Sequence, residues 1–221
     1  MSDFAAARRK MVESQLQTSG IIDRRLLTVM GQVPREIFVP EARRGLAYID
    51  VAQAIPTSDG GRRFIAPPAP FAKLVQLAAI GDGDRVLDLG CATGYSAAVL
   101  AELAEHVVAV ESDPGLVATA RANLQSLGLE NVTVVEGALE DGAARHGPFD
   151  VIILEGMATE VPRALFDQLA EEGRLVVLQQ EGRAAAAHLY VRSGDDVAGR
   201  PEFNTSMPPL FAAKAPPSFV F

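Results

Sequence analysis

Asp88, Gly90 and Gly94 lie in the stretch RVLDLGCATGY, residues 85–95, and Glu111 follows 21 positions after Gly90. An apolar run carrying one acid breaks into a glycine turn, then resumes as small and apolar residues. That order reads as a strand, a tight turn and a helix starting near Tyr95. Such a turn brings backbone N–H groups and a helix N-terminus to a sheet edge, and its small residues let a ligand approach the main chain. Two ligand classes use it. A dinucleotide wants G-x-G-x-x-G beneath a pyrophosphate. Here the spacing is Gly90-x-Ala92-x-Gly94 followed by Tyr95, so the phosphate-cradling set is not met. An adenosyl sulfonium, S-adenosylmethionine, has no phosphate but carries an amino group and a sulfonium charge. It favours an acid two residues ahead of the first glycine, where Asp88 stands.

Glu111 closes the next apolar run, VVAVE. An acid at the tip of the second strand can accept both hydroxyls of an adenosine ribose. Taken singly, either acid could be a capping or solvated strand-end group, since acids are common there. Both acids together with the glycine turn, in this order, point to a ligand seat.

The elements around them follow a regular pattern. Residues 3–30 read as helix with a break near TSGIID, where Ser19-Gly20 ends one piece and Asp23 caps the next. Phe4, Met11 and Leu16 form the apolar face of an N-terminal helix that covers the sheet. Residues 51–70, VAQAIPTSDGGRRFIAPPAP, are rich in proline and glycine and suggest a long irregular loop. Next comes PFAKLVQLAAIG, an amphipathic helix closed by Gly81. Strands DRVLDLG, HVVAVES, NVTVVEG, FDVIILEG and RLVVLQQ alternate with helices YSAAVLAELA, PGLVATARANLQSLG and VPRALFDQLAEEG. Strands rich in Val, Leu and Ile that alternate with helices predict an α/β fold, a doubly wound, mostly parallel sheet buried on both faces. From residue 183 the pattern loosens, with HLYVRSGDDVAG as a strand and turn and PPLFAAKAPPSFVF broken by prolines.

Composition bounds the rest. A chain of 221 residues suits one domain: 1–70 as N-terminal helices and a substrate-side loop, 71–182 as the ligand-binding core, 183–221 as C-terminal strands and tail. With 28 acids against 20 bases the net charge is -8, which argues against non-specific affinity for nucleic acid or anionic membrane. The one cysteine, Cys91, excludes an intrachain disulfide framework and fits a reducing compartment. The N-terminus shows no secretory pattern, and no apolar run is long enough to span a bilayer. A soluble cytoplasmic protein is expected.

The quoted segments carry a family resemblance. VLDLGCATGYSAAVLAEL followed by VVAVESDPGLVATARANL resembles the opening motifs of class I, Rossmann-like methyltransferases. MVESQL, VPREIFVPEARRGLAYID, LGLENVTVVEG, PFDVIILEGMATEVPRALFDQLAEEGRLVV and the closing PPSFVF resemble, more narrowly and in order, the protein-L-isoaspartate O-methyltransferase family. The match runs from about residue 11 to about residue 180, with a weaker echo at the end. The resemblance implies S-adenosylmethionine over GCATG, with S-adenosylhomocysteine as product. It places Asp88 near the methionine end, Glu111 on the ribose, and Gly137, Ala138 and Leu139 beside the adenine. Gly90, Cys91, Ala92, Gly94, Tyr95, Ser112 and Glu155 complete the implied cofactor set. The implied acceptor is an isoaspartyl peptide or protein, esterified on its abnormal carboxylate, with no nucleic acid and no membrane partner.

The chain departs from the family in two places. Gly137-Ala138 stands where relatives have Gly followed by Asp, leaving backbone carbonyls or Glu140 and Asp141 for the adenine amino group. Aligning RRFIAPPAPFAKL through Ala66 and Pro67 puts Ile65 where the family has the serine linked to activity, so no catalytic residue is assigned. The alternatives are a methyltransferase for another small carboxylate or acceptor, and a cofactor-binding homologue without turnover. Arg62 and Arg63 are either solvated loop residues or a pair that attracts the substrate carboxylate. Tyr95 either fills the cofactor pocket or packs against it. Cys91 reads as a small packing residue rather than a nucleophile. His106, His146 and His188 lack ligand spacing, so no metal site is expected.

Overall fold

The computed structural model describes residues 3–181 and 184–211. Its sheet of seven strands runs β5-β4-β3-β6-β7-β8-β9. The five strands β3 (Arg85–Leu89), β4 (His106–Glu111), β5 (Val132–Glu136), β6 (Phe149–Ala158) and β7 (Leu169–Glu181) pair in parallel. The last two, β8 (Ala184–Ser193) and β9 (Asp196–Asn204), are antiparallel additions. Side chains alternate across a pleated strand, so each parallel strand feeds two cores. Val86, Val107, Ala109, Val151 and Ile153 enter one apolar cluster, while Leu87, Leu89, Val108, Val110 and Ile152 enter the other. This is the class I, Rossmann-like architecture expected from the alternating pattern.

The two faces are covered unequally. The first cluster packs against α1 (Phe4–Met11), α2 (Arg24–Met30), α3 (Pro68–Ala78), α4 (Tyr95–Ala101) and α5 (Pro114–Ser126). The second is covered by Leu139 and Ala143, by Leu165 of the short α6 (Arg163–Phe166), and by Leu210. At the N-terminus, Met11 and Leu16 are buried, Gly20 takes φ +86, and the Asp23 carboxylate caps α2 through the N–H groups of Arg25 and Leu26. The N-terminal helical extension and its break are therefore as expected.

Four elements differ from expectation. Residues 51–70 are not irregular: β1 (Gln53–Pro56) and β2 (Arg62–Ile65) form an antiparallel hairpin. The TSDGG turn supplies the reversal, with Gly60 at φ +82 and the Asp59 carboxylate accepting from the Gly61 N–H at 3.0 Å. Alternation along QAIP and RRFI buries Ile55 and Ile65. Next, α3 ends at Ala79, which takes a left-handed φ of 49°, rather than at Gly81. Third, the helix expected over VPRALFDQLAEEG shortens to α6, and Leu169 already belongs to β7. Gln168 ends it: its amide donates back to the Ala164 and Asp141 carbonyls, its oxygen accepts from the Ala143 N–H, and its carbonyl takes the Phe149 N–H. Last, the segment beyond residue 183 is more regular than its composition suggested, because β8 and β9 close a long hairpin turning at Gly194. The closing PPSFVF motif lies outside the described residues.

Candidate active site

The register of the sheet assembles the site. Asp88 of β3 lies beside Ala109 of β4 and Ile153 of β6, so the carboxyl ends of these three strands form one edge. Beyond Leu89 the chain turns at Gly90, φ +86, whose N–H donates to the Val110 carbonyl at 2.9 Å. Ala92 takes φ +50, and Gly94, φ +97, opens α4 as its N-cap. A Cβ on Gly94 would stand 3.3 Å from the Ala120 Cβ, so glycine here meets both a backbone and a packing requirement.

Asp88 is fully buried. Its Oδ2 accepts from the Ser96 hydroxyl at 2.7 Å, and its Oδ1 has no partner among the described residues. Loss of water pushes its carboxyl up to about 7, with the Ser96 bond opposing and the Glu111 charge adding to the rise. Glu111 is equally buried but fully engaged. Oε1 accepts from the Ser112 N–H at 2.8 Å, the Asp113 N–H at 3.2 Å and Arg63 Nε at 3.2 Å, while Oε2 accepts from the Ala92 N–H at 3.0 Å. The acid at the tip of β4 is thereby tied to the glycine turn. Gly137 joins the same edge through its N–H on the Glu111 carbonyl, Ala138 is exposed, and Leu139 is buried beside Gly90.

Glu155, near the end of β6, is also a buried acid, and its Oε1 has no partner among the described residues. Burial is the largest force pushing its pKa upward, followed by the Asp88 charge, against a smaller pull from Arg35. Cys91 is buried among these acids, and desolvation with their charges drives its thiol well above the usual range. It is an inert packing residue. Tyr95 is also buried, edge-on to Phe38 at 5.6 Å and tilted against Phe71 at 5.8 Å, with the Arg35 guanidinium 4.5 Å from its ring centre. It packs behind the turn.

The hairpin supplies the opposite wall. Ile65 and Ala66 meet Gly90, Cys91, Ser96 and Glu155 around a small cavity. Ile65 is buried and apolar. Arg62 is exposed. Neither reading of Arg63 holds, because its guanidinium is used internally: besides Glu111 it donates to Ser112 Oγ at 2.7 Å and the Leu210 carbonyl at 3.0 Å. Ser58 is tied to the Asp113 carboxylate, which also caps α5 through the Leu116 N–H at 2.8 Å.

Residues 207–210 lie over the edge. The Met157 N–H donates to Pro208 and the Leu210 N–H returns to Met157. Leu210 Cδ1 comes within 2.4 Å of where a Cβ on Gly90 would be. Sequence reasoning missed the Arg63 and Leu210 contacts. It also missed the Ser96 bond to Asp88, which the eight-residue spacing across the turn makes readable. Among the described residues no three His, Cys, Asp or Glu side chains gather as a metal site, and no helix is long and apolar enough to cross a membrane.

A doubly wound sheet whose first core strand ends in a small-residue turn between two buried acids defines a class I methyltransferase. Comparison with known proteins narrows this. Residues 6–211 match the family model described as protein-L-isoaspartate(D-aspartate) O-methyltransferase, and the chain belongs to that family. It is 40% identical over 198 residues to protein-L-isoaspartate O-methyltransferase 1 of Syntrophobacter fumaroxidans, covering 89% of each chain. Identity to the Roseiflexus sp. protein-L-isoaspartate O-methyltransferase is 41% over 194 residues, 88% of this chain and 86% of that one. A solved protein-L-isoaspartate O-methyltransferase superposes with a TM-score of 0.80 at 27% identity, over 91% of this chain and 65% of its own length. A structure from Plasmodium falciparum in complex with S-adenosyl-L-homocysteine shares the fold, with a TM-score of 0.76 at 20% identity over 96% and 99% of the two chains.

Proposed function

We propose that this protein is a cytoplasmic S-adenosylmethionine-dependent O-methyltransferase that esterifies the isoaspartyl carboxylate of damaged peptides and proteins. The observation that carries this reading is the pair of buried acids on the turn, Asp88 with an unpartnered Oδ1 and Glu111 anchored on the Ala92 N–H. Asp88, a buried carboxyl with no cation beside it among the described residues, matches a ligand that brings its own positive charge. The residues therefore fit the cofactor by charge and by the small cradle of Gly90, Cys91, Ala92 and Gly94. Asp88 would hold the methionine amino group. Glu111, with Ser112, would take the ribose hydroxyls, while Gly137, Ala138 and Leu139 would border the adenine and Tyr95 and Glu155 the inner wall. When bound, the cofactor supplies a methyl group on sulfonium sulfur, open to in-line displacement.

The chain's own task is placement. An acceptor carboxylate is already ionised at neutral pH, and its methylation releases no proton, so no general base is required. The apolar wall of Ile65 and Ala66 excludes water, and orienting the carboxylate oxygen supplies most of the rate. Transfer of tritium from labelled cofactor into an isoaspartyl peptide, in base-labile form, tests the proposal; absence of transfer at high enzyme concentration contradicts it. Ile65 at the acceptor wall favours one second reading, a methyltransferase for another small carboxylate, which a panel of metabolite carboxylates would separate.

A further inference from the structure

The cavity between hairpin and glycine turn is lined by two polar groups without a hydrogen-bond partner among the described residues, the Tyr95 hydroxyl and the Glu155 carboxyl. Its walls include Ile65, Ala66, Cys91 and Ser96 as well. The Ser96 hydroxyl is committed to Asp88. Ile65 and Ala66 offer no side-chain hydrogen bond. Of the two unpartnered groups, the Tyr95 ring is packed against the Arg35 guanidinium, 4.5 Å from its centre, and Glu155 is the acid, 7% exposed, with a buried Oε1 that has no partner among the described residues. An unpartnered buried polar oxygen is costly, of the order of 1–3 kcal/mol, and points to a partner that arrives with the ligand.

We propose that Glu155 is a specificity-determining residue, whose protonated carboxyl donates a hydrogen bond to the acceptor's carboxylate and so selects acceptors with that group. The inference rests on the reading of the site as a carboxylate methyltransferase.

The neighbours decide which acid carries the proton. Asp88 of β3 accepts the Ser96 hydroxyl, which favours its ionised form. Glu155 has no such donor, and an ionised Asp88 raises the cost of a second charge beside it. Cys91 stays a neutral thiol, the Tyr95 phenol stays protonated, and among the described residues the buried Arg35 guanidinium is the opposing charge that acts on Glu155. Arg35 spends two of its donors on the Ala47 and Ala66 carbonyls, at 2.7 and 2.6 Å. The division of labour above about pH 7 follows: Asp88 takes the negative charge and faces the cationic cofactor, while Glu155 keeps the proton and faces the acceptor. Ester formation consumes the carboxylate oxygen lone pair and expels the neutral thioether, so Glu155 ends the reaction with its proton.

The test needs no turnover. A fluorescein-labelled isoaspartyl peptide and a small dicarboxylate are titrated against the S-adenosylhomocysteine-saturated protein, as wild type, Glu155→Gln and Glu155→Ala, from pH 6 to 9. Cofactor-product affinity is followed by calorimetry in each variant. In wild type the Kd should weaken at any pH high enough to remove the Glu155 proton, which burial holds on well above the usual carboxyl range. Glu155→Ala should weaken peptide binding at least about tenfold, as loss of a hydrogen bond to a charged group does. Its affinity for S-adenosylhomocysteine should fall less than its affinity for the peptide; an equal or larger fall would place Glu155 on the cofactor and overturn the inference. The amide of Glu155→Gln, which donates without titrating, should recover most of the loss and flatten the pH profile. Equal peptide affinity in all three proteins overturns the inference while leaving the proposed function intact. Binding of the dicarboxylate but not the peptide, with the same dependence on Glu155, overturns the peptide reading and keeps the inference. Loss in Glu155→Gln equal to that in Glu155→Ala, with preference for an amine acceptor, overturns both.

Discussion

Arg63 reaches from β2 to Glu111 at the tip of β4, its Nε 3.2 Å from Oε1, and the same guanidinium holds the Leu210 carbonyl. One side chain thus bridges the β1–β2 hairpin, the buried acid at the tip of β4 and the C-terminal segment. The acid is fully buried and the arginine 18% exposed, so this pair is worth more than a solvated surface bridge.

That contact competes with the proposed ribose hydroxyls for the lone pairs of Glu111. Replacing the guanidinium by a shorter uncharged chain, Arg63→Met, should therefore tighten S-adenosylhomocysteine binding, by about three- to tenfold, or on the order of 1 kcal/mol. Calorimetry reads it directly. Weaker binding in the variant would mean that Arg63 holds the nucleoside instead of competing with it.

Asp88 gives the stability a pH dependence of defined sign. Its ordinary value is 3.8 and its folded value is about 7, so between these limits the folded protein keeps a proton that the unfolded chain has released. Stability must fall as pH rises through that window. Asp88→Asn removes the term, and its Tm at pH 8 should exceed wild type by a few degrees, with no advantage at pH 4. Melting curves across the range check this, and a variant less stable at pH 8 would contradict the burial argument.

The hydrocarbon at Ile65 is a buried part of the cavity wall. Ile65→Ser removes apolar volume and adds a hydroxyl, and should cost about 2–4 kcal/mol of stability. With Glu155 holding the acceptor, it should raise kcat/KM for an isoaspartyl peptide by less than about threefold. A larger gain in the transfer assay would show that the wild-type wall lacks a needed donor.

Gly94 holds α4 against α5. At φ +97, with a Cβ 3.3 Å from the Ala120 Cβ, Gly94→Ala should lose about 1–3 kcal/mol in a denaturant titration, whereas Gly83→Ala, in open space, should lose little. Equal losses at the two positions would refute the packing account.

The glycine turn and its two buried acids were legible in sequence because each part is local. A continuous apolar run, a glycine turn and an acid at each strand tip lie within 27 residues, from Arg85 to Glu111. The hairpin of β1 and β2 was hidden because Pro56, Pro67, Pro68 and Pro70 mask a short alternation, and only the TSDGG turn announces it. Gln168 ends α6 through contacts to Asp141 and Ala143, 25 or more positions away, which no local pattern carries. The Arg63 and Leu210 contact spans 147 positions. Glu155 was visible as a residue, but its missing partner is a property of packing.

The account depends on the turn at 90–94 being the seat of an adenosyl sulfonium, and titration of S-adenosylhomocysteine into wild type and Glu111→Ala measures this most directly. Micromolar or tighter binding to wild type, weakened at least about tenfold by Glu111→Ala in a protein that still melts cooperatively, is the expected result, since ribose hydroxyls lose a charged acceptor. No heat of binding to wild type, or an affinity indifferent to Glu111, would contradict it.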